Sequence, residues 1–348
     1  MSLQWFAIGS DQVQVLLRHG HLLADEQQWV AQQVTGDQVA FTKVESQLPG
    51  LWTRWFTAIR AISLTATLMP CLATLLWLWV SGFQLNWPVA IAAIFGAMFL
   101  QMAVNLFNDV EDYLKLIDLP GSLGGSGVIQ QGWLSANQMN KGAWICLVTG
   151  CLLGLPALIA SPEIILMCGA AAVLGVIGYS GKPFRLKYRA LGDLAVLLLC
   201  GPVLTFGMAA AAIGSIADGL FSLGLFFGFA ATAILNANNI NDIYTDSARG
   251  SITLAGKLGF VIARHWQALY YLFAVIALIH LVSLKFGSLW MLLPVVAVPL
   301  IVMQLVALYR SPSPDHESLA EVRFQAAKTH LLLGILLCVG MLISQFFS

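Results

Sequence analysis

Two clusters of asparagine and aspartate occur in a chain with few charged residues. The first reads NLFNDVEDYLKLID at 105–118, and the second reads NNINDIYTD at 238–246. Each follows a strongly apolar run, and each contains the same five-position pattern, Asn-x-x-Asn-Asp, at 105–109 and at 238–242. Carboxylate and amide oxygens are the ligands that hard divalent cations prefer. The repeated pattern therefore predicts a site for such a cation.

The spacing inside the clusters fits helices. Residues three or four positions apart are neighbours on a helix surface, so Asn108 and Asp112 would share one face, as would Asp242 and Asp246. Asp109 lies one position away from that face. The pattern therefore predicts that each cluster presents its oxygens along one side of a helix.

The chemistry that suits two such clusters is the binding of a diphosphate. Mg²⁺ keeps several waters and is commonly held by one or two carboxylates together with substrate phosphate oxygens. Clusters facing each other across a cavity would hold a diphosphate through Mg²⁺, and Asn105, one turn deeper than Asp109, would brace or extend the site. A single cluster is explained as well by a polar helix end in water. Two identical cores argue against that explanation and indicate a parallel internal repeat.

Basic side chains follow the fourth apolar run. The stretch 178–193 reads GYSGKPFRLKYRALGD and carries four of them, Lys182, Arg185, Lys187 and Arg189. Tyr179 belongs to the same stretch, and the loop 247–259 adds Arg249 and Lys257. A diphosphate needs cationic donors, which Arg and Lys supply, but a cytoplasmic loop also accounts for these charges. The glycine-rich loop 119–139 is explained equally by a lid and by a surface loop.

Composition places these motifs in a membrane protein. Hydrophobic residues make up 59% of the 348, charged residues 10%, and the mean hydropathy is +0.81, whereas soluble domains carry about 25% charged residues. A span needs roughly 20 mainly apolar residues, and the lipid interior favours helices for runs this long. Nine spans are predicted, at 57–80, 88–107, 142–160, 164–180, 191–213, 219–240, 266–284, 289–308 and 328–347.

The basic residues predict the orientation. With nine spans, 16 of the 17 Lys and Arg residues fall on one side of the membrane, and Lys285 alone falls on the other. The positive-inside rule makes that side cytoplasmic, and both Asn/Asp clusters open there. The first 20 residues show no cleavable signal pattern, so we expect a multi-pass protein of a bacterial inner membrane with a cytoplasmic N-terminus.

Other classes receive little support. The net charge is zero, which gives no electrostatic argument for nucleic-acid binding. The six cysteines and six histidines show no metal-ligand spacing. Residues 1–50 are less apolar than the rest, and 12–34 predicts one amphipathic helix in a cytosolic extension. The oligomeric state is not indicated.

The motif set resembles the UbiA-type intramembrane prenyltransferases, and most closely the branch that prenylates 1,4-dihydroxy-2-naphthoate in menaquinone synthesis. The resemblance covers about 52–347. It rests on four stretches in the expected order, NLFNDVEDYLKLID, GVIQQGWLS, YSGK with KYRALGD, and NNINDIYTDSARGSITLAGKLG. It implies an all-α bundle of about nine membrane helices around a central cavity, with residues 1–50 as an extension and 51–348 as the catalytic domain.

The resemblance also implies roles for particular residues. Its metal is Mg²⁺, and the corresponding ligands are Asn108, Asp109, Asp112, Asp118, Asp242 and Asp246. Lys187 falls where the family often has a diphosphate-binding lysine. Other residues of the clusters and basic loops are also predicted to bind the diphosphate, namely Asn105, Asn108, Asn238, Lys182, Arg185 and Arg249. The corresponding catalytic residues are Asp112, Asp242, Lys187 and Tyr179. The substrates would be a prenyl diphosphate and an aromatic acceptor, and the lipid bilayer would surround both the tail and the product.

Three positions depart from the naphthoate branch, and alternatives follow from them. Leu116 stands where glycine is usual, Gly127 lies in a region where many members carry arginine, and Asn241 stands where arginine is frequent. Other acceptors therefore stay open, such as 4-hydroxybenzoate, homogentisate, chlorophyllide or haem. An ion-coupled transporter is a different class that also uses intramembrane carboxylates and repeats. Both clusters lie at one membrane face beside basic loops, which suits a diphosphate better than a transport path.

Overall fold

The computed structural model describes residues 3–22, 28–44, 48–120, 125–248, 250–319 and 321–347. Within those residues, eight helices are long and apolar enough to cross a membrane. A ninth apolar helix, Pro162–Gly178, has 17 residues, which is the lower limit for a span. The predicted all-α membrane bundle is confirmed, and the nine predicted spans correspond to these eight helices and the shorter one.

The N-terminal residues form a small α/β unit, so the prediction of one helix over 12–34 was wrong. Its elements are β1 (Gln4–Ala7), α1 (Asp11–His19), β2 (Trp29–Thr35) and β3 (Gln38–Lys43). The Ser10 side chain caps the start of α1, and Gly20 ends the helix with a φ of 75°, the left-handed conformation that glycine adopts readily at helix ends.

The three strands form one antiparallel sheet with the order β1-β3-β2. A two-residue turn, Gly36-Asp37, joins β2 to β3, and Gly36 has a φ of 60°. Glycine and aspartate are favoured in such tight hairpins because the turn requires a positive φ. Strand β2 therefore lies at an edge of the sheet, and its register shifts between Ala31 and Gln33.

The remaining elements are helical. The α-helices among them are α2 (Leu51–Ala58), α3 (Thr65–Val80), α4 (Trp87–Leu114), α5 (Ala136–Ala160), α6 (Pro162–Gly178), α7 (Gly192–Leu198), α8 (Leu204–Ile213), α9 (Leu220–Asn241), α10 (Ile243–Ala248), α11 (Leu254–Leu258), α12 (Phe260–Ser283), α13 (Val298–Arg310) and α14 (Val322–Phe347). Segments of 3₁₀ helix at Ala61–Leu64 and Leu289–Ala297 precede α3 and α13 and complete those two spans. Helices α7 and α8 belong to one span, joined by a π-helical segment at Leu199–Val203. Pro202 lies in that segment, where its missing N–H interrupts the regular helix hydrogen bonds.

The largest hydrophobic cluster lies where α3, α9 and α14 meet. Trp77, Phe226, Phe227 and Leu337 are almost fully buried in it. Helix α9 thus runs through the middle of the bundle, because most of its side chains are buried. This packing fixes the direction of the helix whose last turns carry the second Asn/Asp cluster.

Helices α4 and α5 pack through glycines. A Cβ atom on Gly96 would lie 3.1 Å from the carbonyl oxygen of Gly150, and a Cβ atom on Gly150 would lie 3.0 Å from that of Gly96. Small residues let membrane helices approach this closely. The contact fixes α4, whose last turns carry the first Asn/Asp cluster.

Candidate active site

A cavity of about 800 Å³ lies within the bundle and has a polar and an apolar part. The polar side chains come from the C-terminal ends of α4 and α9 and from the adjoining loops. The predicted site residues among them are Asn105, Asn108, Asp112, Asp118, Tyr179, Lys187, Asn238, Asp242 and Asp246. The lining deeper in the spans is small or apolar and includes Gly154, Gly169, Leu204 and Met208. The structure therefore brings both clusters to one end of an apolar cavity.

Asp112 is the most extensively bonded carboxylate of the first cluster. Its side chain is 1% exposed. Lys187 Nζ lies 2.6 Å from Oδ2, the Tyr188 hydroxyl donates to Oδ1 at 2.6 Å, and Asn108 Nδ2 donates to Oδ2 at 3.0 Å. The Asn108–Asp112 bond confirms the expected neighbour relation on one helix face. Asp112 therefore joins α4 to the loop that carries Lys187.

Asp109 lies beside the cavity lining, one position away from the face that carries Asn108 and Asp112. Its Oδ1 forms an ion pair with Arg60, and its Oδ2 accepts the backbone N–H of Ser126 at 2.9 Å. Both oxygens are thus engaged, and Asp109 is absent from the cavity lining among the described residues. In this structure Asp109 positions Arg60 and the loop at Ser126.

Asp118 lies in the loop after α4 and is also buried. Its side chain faces the cavity, and its backbone carbonyl accepts Gln130 Nε2 at 3.1 Å. Burial, together with the negative charge of Asp112, raises the pKa of Asp118 to about 7. A bound cation would favour the charged form of this carboxylate.

The second cluster sits where α9 ends. Asp242 caps α9, and Asp246 follows one turn later, with its backbone N–H donating to the carbonyl of Asp242 at 2.8 Å. The helical spacing expected for this pair is therefore kept across the junction with α10. Burial raises the pKa of both carboxyls, that of Asp246 to about 7. Asn238 lines the same cavity one turn earlier.

Lys187 is the central cation of the site. Burial opposes its charge, but the carboxylates of Asp112, Asp118 and Asp246 outweigh burial and raise its pKa. Its backbone N–H donates to the carbonyl of Tyr179 at 2.8 Å, which folds the loop back over the end of α6. Lys187 is thus held as a buried ammonium between the two clusters.

Other predicted diphosphate ligands are placed differently. Lys182 is exposed, Arg185 is half-buried, and neither is among the described cavity-lining residues. Arg249 lies outside the described residues. Asn105 lines the cavity, but its Nδ2 already donates to the Ile59 carbonyl and to Ser63 Oγ, at 3.0 and 2.8 Å. Asn105 therefore braces the approach to α3.

Tyr179 lies at the end of α6 and lines the cavity. Burial is the main cause that raises the pKa of its hydroxyl. The hydroxyl therefore stays neutral near pH 7 and is suited to donating a hydrogen bond inside the cavity.

Sequence reasoning missed several polar residues at the cavity. Arg60 lines it from the residues before α3, Arg323 lines it from the start of α14, Asn239 lines it from α9, and Tyr188 contacts Asp112. Both arginines had been read only as cytoplasmic charges. Arg60 lies within the predicted first span, 57–80, where a charged side chain is costly and commonly marks a functional site. Arg323 lies shortly before the predicted last span, 328–347.

The three departures from the naphthoate branch have local structural roles. Gly127 has a φ of 72°, a conformation that arginine would adopt only with strain. The Asn241 side chain donates to the carbonyl of Leu319 at 3.2 Å, which ties α9 to the turn before α14. Leu116 has a φ of 59° and is buried.

The oxygen donors fit a divalent cation that a phosphate completes. Asn108 Oδ1 is buried without a hydrogen-bond partner, and four carboxylates, Asp112, Asp118, Asp242 and Asp246, line the same cavity. Within the described part of the chain, no group of three or more His, Cys, Asp or Glu residues is placed to hold an ion alone. Mg²⁺ commonly needs only one or two carboxylates besides phosphate and water. The arrangement therefore suits a metal that arrives with a diphosphate.

Known proteins of similar sequence support the same reading of the motifs. One is the 1,4-dihydroxy-2-naphthoate octaprenyltransferase of Escherichia coli (strain K12), 30% identical over 266 residues, which are 74% of this chain and 85% of that protein. The protein of the same name from Bacillus subtilis (strain 168) is 26% identical over 288 residues, 82% of this chain and 91% of that protein.

Solved structures share the fold. A UbiA homolog from Aeropyrum pernix K1 matches with a TM-score of 0.59 at 17% identity, covering 81% of this chain and 98% of that one. A UbiA homolog from Archaeoglobus fulgidus bound to GPP and Mg²⁺ matches with a TM-score of 0.53 at 14% identity, covering 82% and 99%. The model of the UbiA prenyltransferase family matches residues 67–332. The resemblance read from the motifs is confirmed, and the chain belongs to the UbiA prenyltransferase family.

Proposed function

We propose that this enzyme transfers an isoprenyl group from a prenyl diphosphate to 1,4-dihydroxy-2-naphthoate, in a reaction assisted by Mg²⁺. The observation that carries the proposal is the convergence of both Asn/Asp clusters and Lys187 at one end of an apolar cavity of about 800 Å³. Such a cavity takes a molecule with an anionic head and a long apolar tail. A prenyl diphosphate has that shape and charge.

The similar proteins support both substrates. The relatives from Escherichia coli and Bacillus subtilis are named for prenyl transfer to 1,4-dihydroxy-2-naphthoate. The Archaeoglobus fulgidus homolog was solved with GPP and Mg²⁺. An acceptor such as 4-hydroxybenzoate or homogentisate would use the same donor site, and the experiment below separates these acceptors.

Several residues of the site would bind the diphosphate head group through Mg²⁺. Asn108, Asp112, Asp118, Asp242 and Asp246 would hold Mg²⁺. When bound, Mg²⁺ would neutralise the diphosphate and stabilise the charge that develops on it as it leaves. Asp109 contributes indirectly in this proposal, since its oxygens hold Arg60 and the Ser126 N–H.

The charged side chains then assist bond cleavage. The Lys187 ammonium donates to the diphosphate oxygens, and Arg60 and Arg323, which also line the cavity, add positive charge. The allylic C–O bond breaks with its electron pair leaving on the diphosphate. A ring carbon of the electron-rich acceptor bonds to C1 of the prenyl group. That carbon then loses a proton or, if it bears the carboxylate, carbon dioxide, and the electron pair of the broken bond restores the aromatic ring.

The neutral residues position the substrates. Tyr179 presents a neutral hydroxyl to the cavity, while Asn105 and Asn238 add amide groups at the same end. The buried walls exclude water from an allylic centre with carbocation character, which water would otherwise capture. Lys182 and Arg185 stay outside this scheme except as part of the positive rim.

We also propose that the polar end of the cavity faces the cytoplasm across a bacterial inner membrane. The support is the asymmetry of Lys and Arg, of which Lys285 alone falls on the other side. Cytoplasmic access would let a water-soluble acceptor reach the site while the tail stays among the spans.

The test is prenyl transfer by the purified protein in detergent. An all-trans prenyl diphosphate, Mg²⁺ and a panel of aromatic acceptors would be supplied, with EDTA as control. We expect a prenylated naphthoquinol that requires Mg²⁺. Transfer to another phenol would change the assigned acceptor but support the proposed donor site. An absence of both transfer and diphosphate binding would contradict the proposal.

A further inference from the structure

The loop between α4 and α5 has two faces with different partners. We call its described residues, 115–120 and 125–135, the active-site loop. On one face, Asp118 and Ser126 line the cavity, and the Ser126 N–H donates to Asp109 Oδ2 at 2.9 Å. Any shift of this loop would therefore move groups that the proposed function places at the diphosphate.

The opposite face of the active-site loop is apolar and buried. Five of its side chains, at most 8% exposed, belong to one hydrophobic cluster, namely Leu116, Leu119, Val128, Ile129 and Leu134. The same cluster contains buried residues of the N-terminal unit, namely Val13, Leu16, Leu17, Trp29, Ala31, Val39 and Phe41. The N-terminal unit and the active-site loop thus share a core.

Two specific contacts fix the N-terminal unit, one to the end of α4 and the other to the active-site loop that follows it. The Ala31 N–H, on the edge strand β2, donates to the Tyr113 hydroxyl at 3.1 Å, and Tyr113 is 1% exposed. A Cβ atom on Gly132 would lie 3.4 Å from side-chain atoms of Gln28 and Val44. One contact lies directly after the catalytic Asp112 in sequence, and the other lies within the loop.

Leu116 ends α4 in a Schellman motif, in which its N–H donates to the Tyr113 carbonyl at 2.9 Å and the Ile117 N–H donates to the Asp112 carbonyl at 2.8 Å. Its φ of 59° is left-handed, which is unfavourable for a residue with a side chain. Such conformations persist where the surroundings determine them. The Leu116 side chain is 8% exposed within the shared cluster, so burial offsets the backbone strain there.

We propose that the N-terminal unit, residues 3–22 and 28–44, is a positioning domain that holds the active-site loop in the geometry needed to bind the diphosphate head. The inference rests on the proposed function for what the loop binds. The domain touches no substrate in this scheme, because its contacts are with α4, including Tyr113, with α5, and with the active-site loop, including Gly132. None of the described cavity-lining residues belongs to the domain, so we expect it to act on the donor site through the loop.

The test uses point variants of the full chain. Tyr113→Phe removes the hydroxyl that accepts the Ala31 N–H and keeps the ring, so it retains the packing needed to fold. Leu16→Ala removes a fully buried side chain of the N-terminal unit from the shared cluster. Val34→Ala is the matched control, because Val34 lies in the same unit and is 36% exposed.

Two readouts separate positioning from general stability. We expect the KM for the prenyl diphosphate to rise about tenfold or more in Tyr113→Phe and Leu16→Ala, since a small displacement of a binding group is costly. The KM for the acceptor and the behaviour of Val34→Ala should stay close to wild type. Amide hydrogen exchange should quicken several-fold in peptides from 125–135 and stay unchanged in peptides from α9.

The exchange readout works without catalysis, so it also decides the proposal if the wild-type protein transfers no prenyl group and the proposed function fails. Unchanged exchange at 125–135 in both variants would overturn the positioning role. So would a uniform increase across the loop and α9, because that pattern indicates loss of overall stability.

Discussion

At the level of single residues, Asp112 and Lys187 form the centre of the site. The Lys187 ammonium and the Asp112 carboxylate compensate each other's charge in a buried environment, with an Nζ–Oδ2 distance of 2.6 Å. Removing one member of a buried ion pair leaves an uncompensated charge, which is strongly destabilising. The substitutions most useful for testing function therefore keep the size of the side chain. Each is compared with a substitution at a nearby residue that lies outside this buried ion pair.

The first prediction concerns Asp112. Asp112→Asn keeps the shape but removes the negative charge that would hold Mg²⁺, so we expect kcat for prenyl transfer to fall about 10²–10³-fold, as for the loss of one strong electrostatic contact. Glu111→Gln is the control. The Glu111 carboxylate pairs with Lys115 Nζ at 2.9 Å, and Glu111 is not among the described cavity-lining residues. Equal loss in both variants, measured in protein of unchanged thermal unfolding, would argue against a special role for Asp112.

The second prediction separates two lysines of one loop. Lys187→Met should raise the KM for the prenyl diphosphate and lower kcat, together about 10²-fold in kcat/KM, because an ammonium beside a phosphate in a buried site acts strongly. Lys182→Met should change kcat/KM less than about twofold, since surface substitutions have small effects and Lys182 is exposed. Steady-state kinetics decide between them, and a large loss at Lys182 would restore it as a diphosphate ligand.

At the level of elements, the glycines of the membrane helices serve two opposite purposes. Gly96 and Gly150 permit close contact between α4 and α5, whereas a Cβ atom on Gly154 or Gly169 would meet nothing within 4 Å. Gly154 and Gly169 both line the cavity. The same residue type therefore closes one helix interface and leaves room in the cavity nearby.

The third prediction concerns the space beside Gly154. Gly154→Phe should fill part of the apolar cavity. Because overpacking a cavity is unfavourable, kcat/KM for long prenyl diphosphates should fall about tenfold or more relative to kcat/KM for a geranyl donor. Leu155→Phe is the control, as Leu155 is exposed on the same helix. The ratio of kcat/KM for the two donors measures the effect, and an unchanged ratio would place the tail elsewhere.

The fourth prediction concerns the helix contact. Gly150→Val would force atoms into the 3.0 Å gap to the Gly96 carbonyl, and we expect a loss of about 1–3 kcal/mol in stability. Gly154→Val, one turn along α5, should leave the thermal unfolding midpoint in detergent nearly unchanged. Similar unfolding midpoints for both variants would show that the close contact between α4 and α5 at Gly150 does not contribute to stability.

At the level of the whole molecule, the bundle places its chemistry at one face. The fifth prediction tests which face that is. Cysteine introduced at Lys182 should react with an impermeant maleimide only from the cytoplasmic side, and cysteine at Lys285 only from the other side, as the charge asymmetry requires. The unsubstituted protein controls for its six native cysteines, and a reversed pattern would contradict the proposed orientation.

The sequence was sufficient for the spans and for the two clusters, for a physical reason. Long apolar runs and i, i+4 pairs such as Asn108 and Asp112 are local patterns, and a membrane leaves few alternatives to a helix. Contacts made over long sequence distances were missed. Arg60 pairs with Asp109, and Tyr188 donates to Asp112, but no local pattern links these residues.

The N-terminal unit shows the same limit in secondary structure. The stretch 12–34 has apolar residues that fit a helix, yet Gly20 ends α1 and the turn at Gly36 pairs β2 with β3. Pairing of strands depends on partners outside the local window, so context overrides propensity. The wrong prediction arose because a short amphipathic pattern was extended past a glycine.

The shared core of the N-terminal unit and the active-site loop has a consequence for biosynthesis. The N-terminal unit leaves the ribosome before the helices that follow it, but the cluster that covers its apolar face extends to Ala143 of α5. At about 5–20 residues per second, the missing partners follow roughly 5–20 s later. During that interval the unit would be open to proteases and chaperones, and its folding would be completed only when α4 and the start of α5 are in place. Nascent chains arrested before and after α5 should therefore differ in protease resistance at their N-termini.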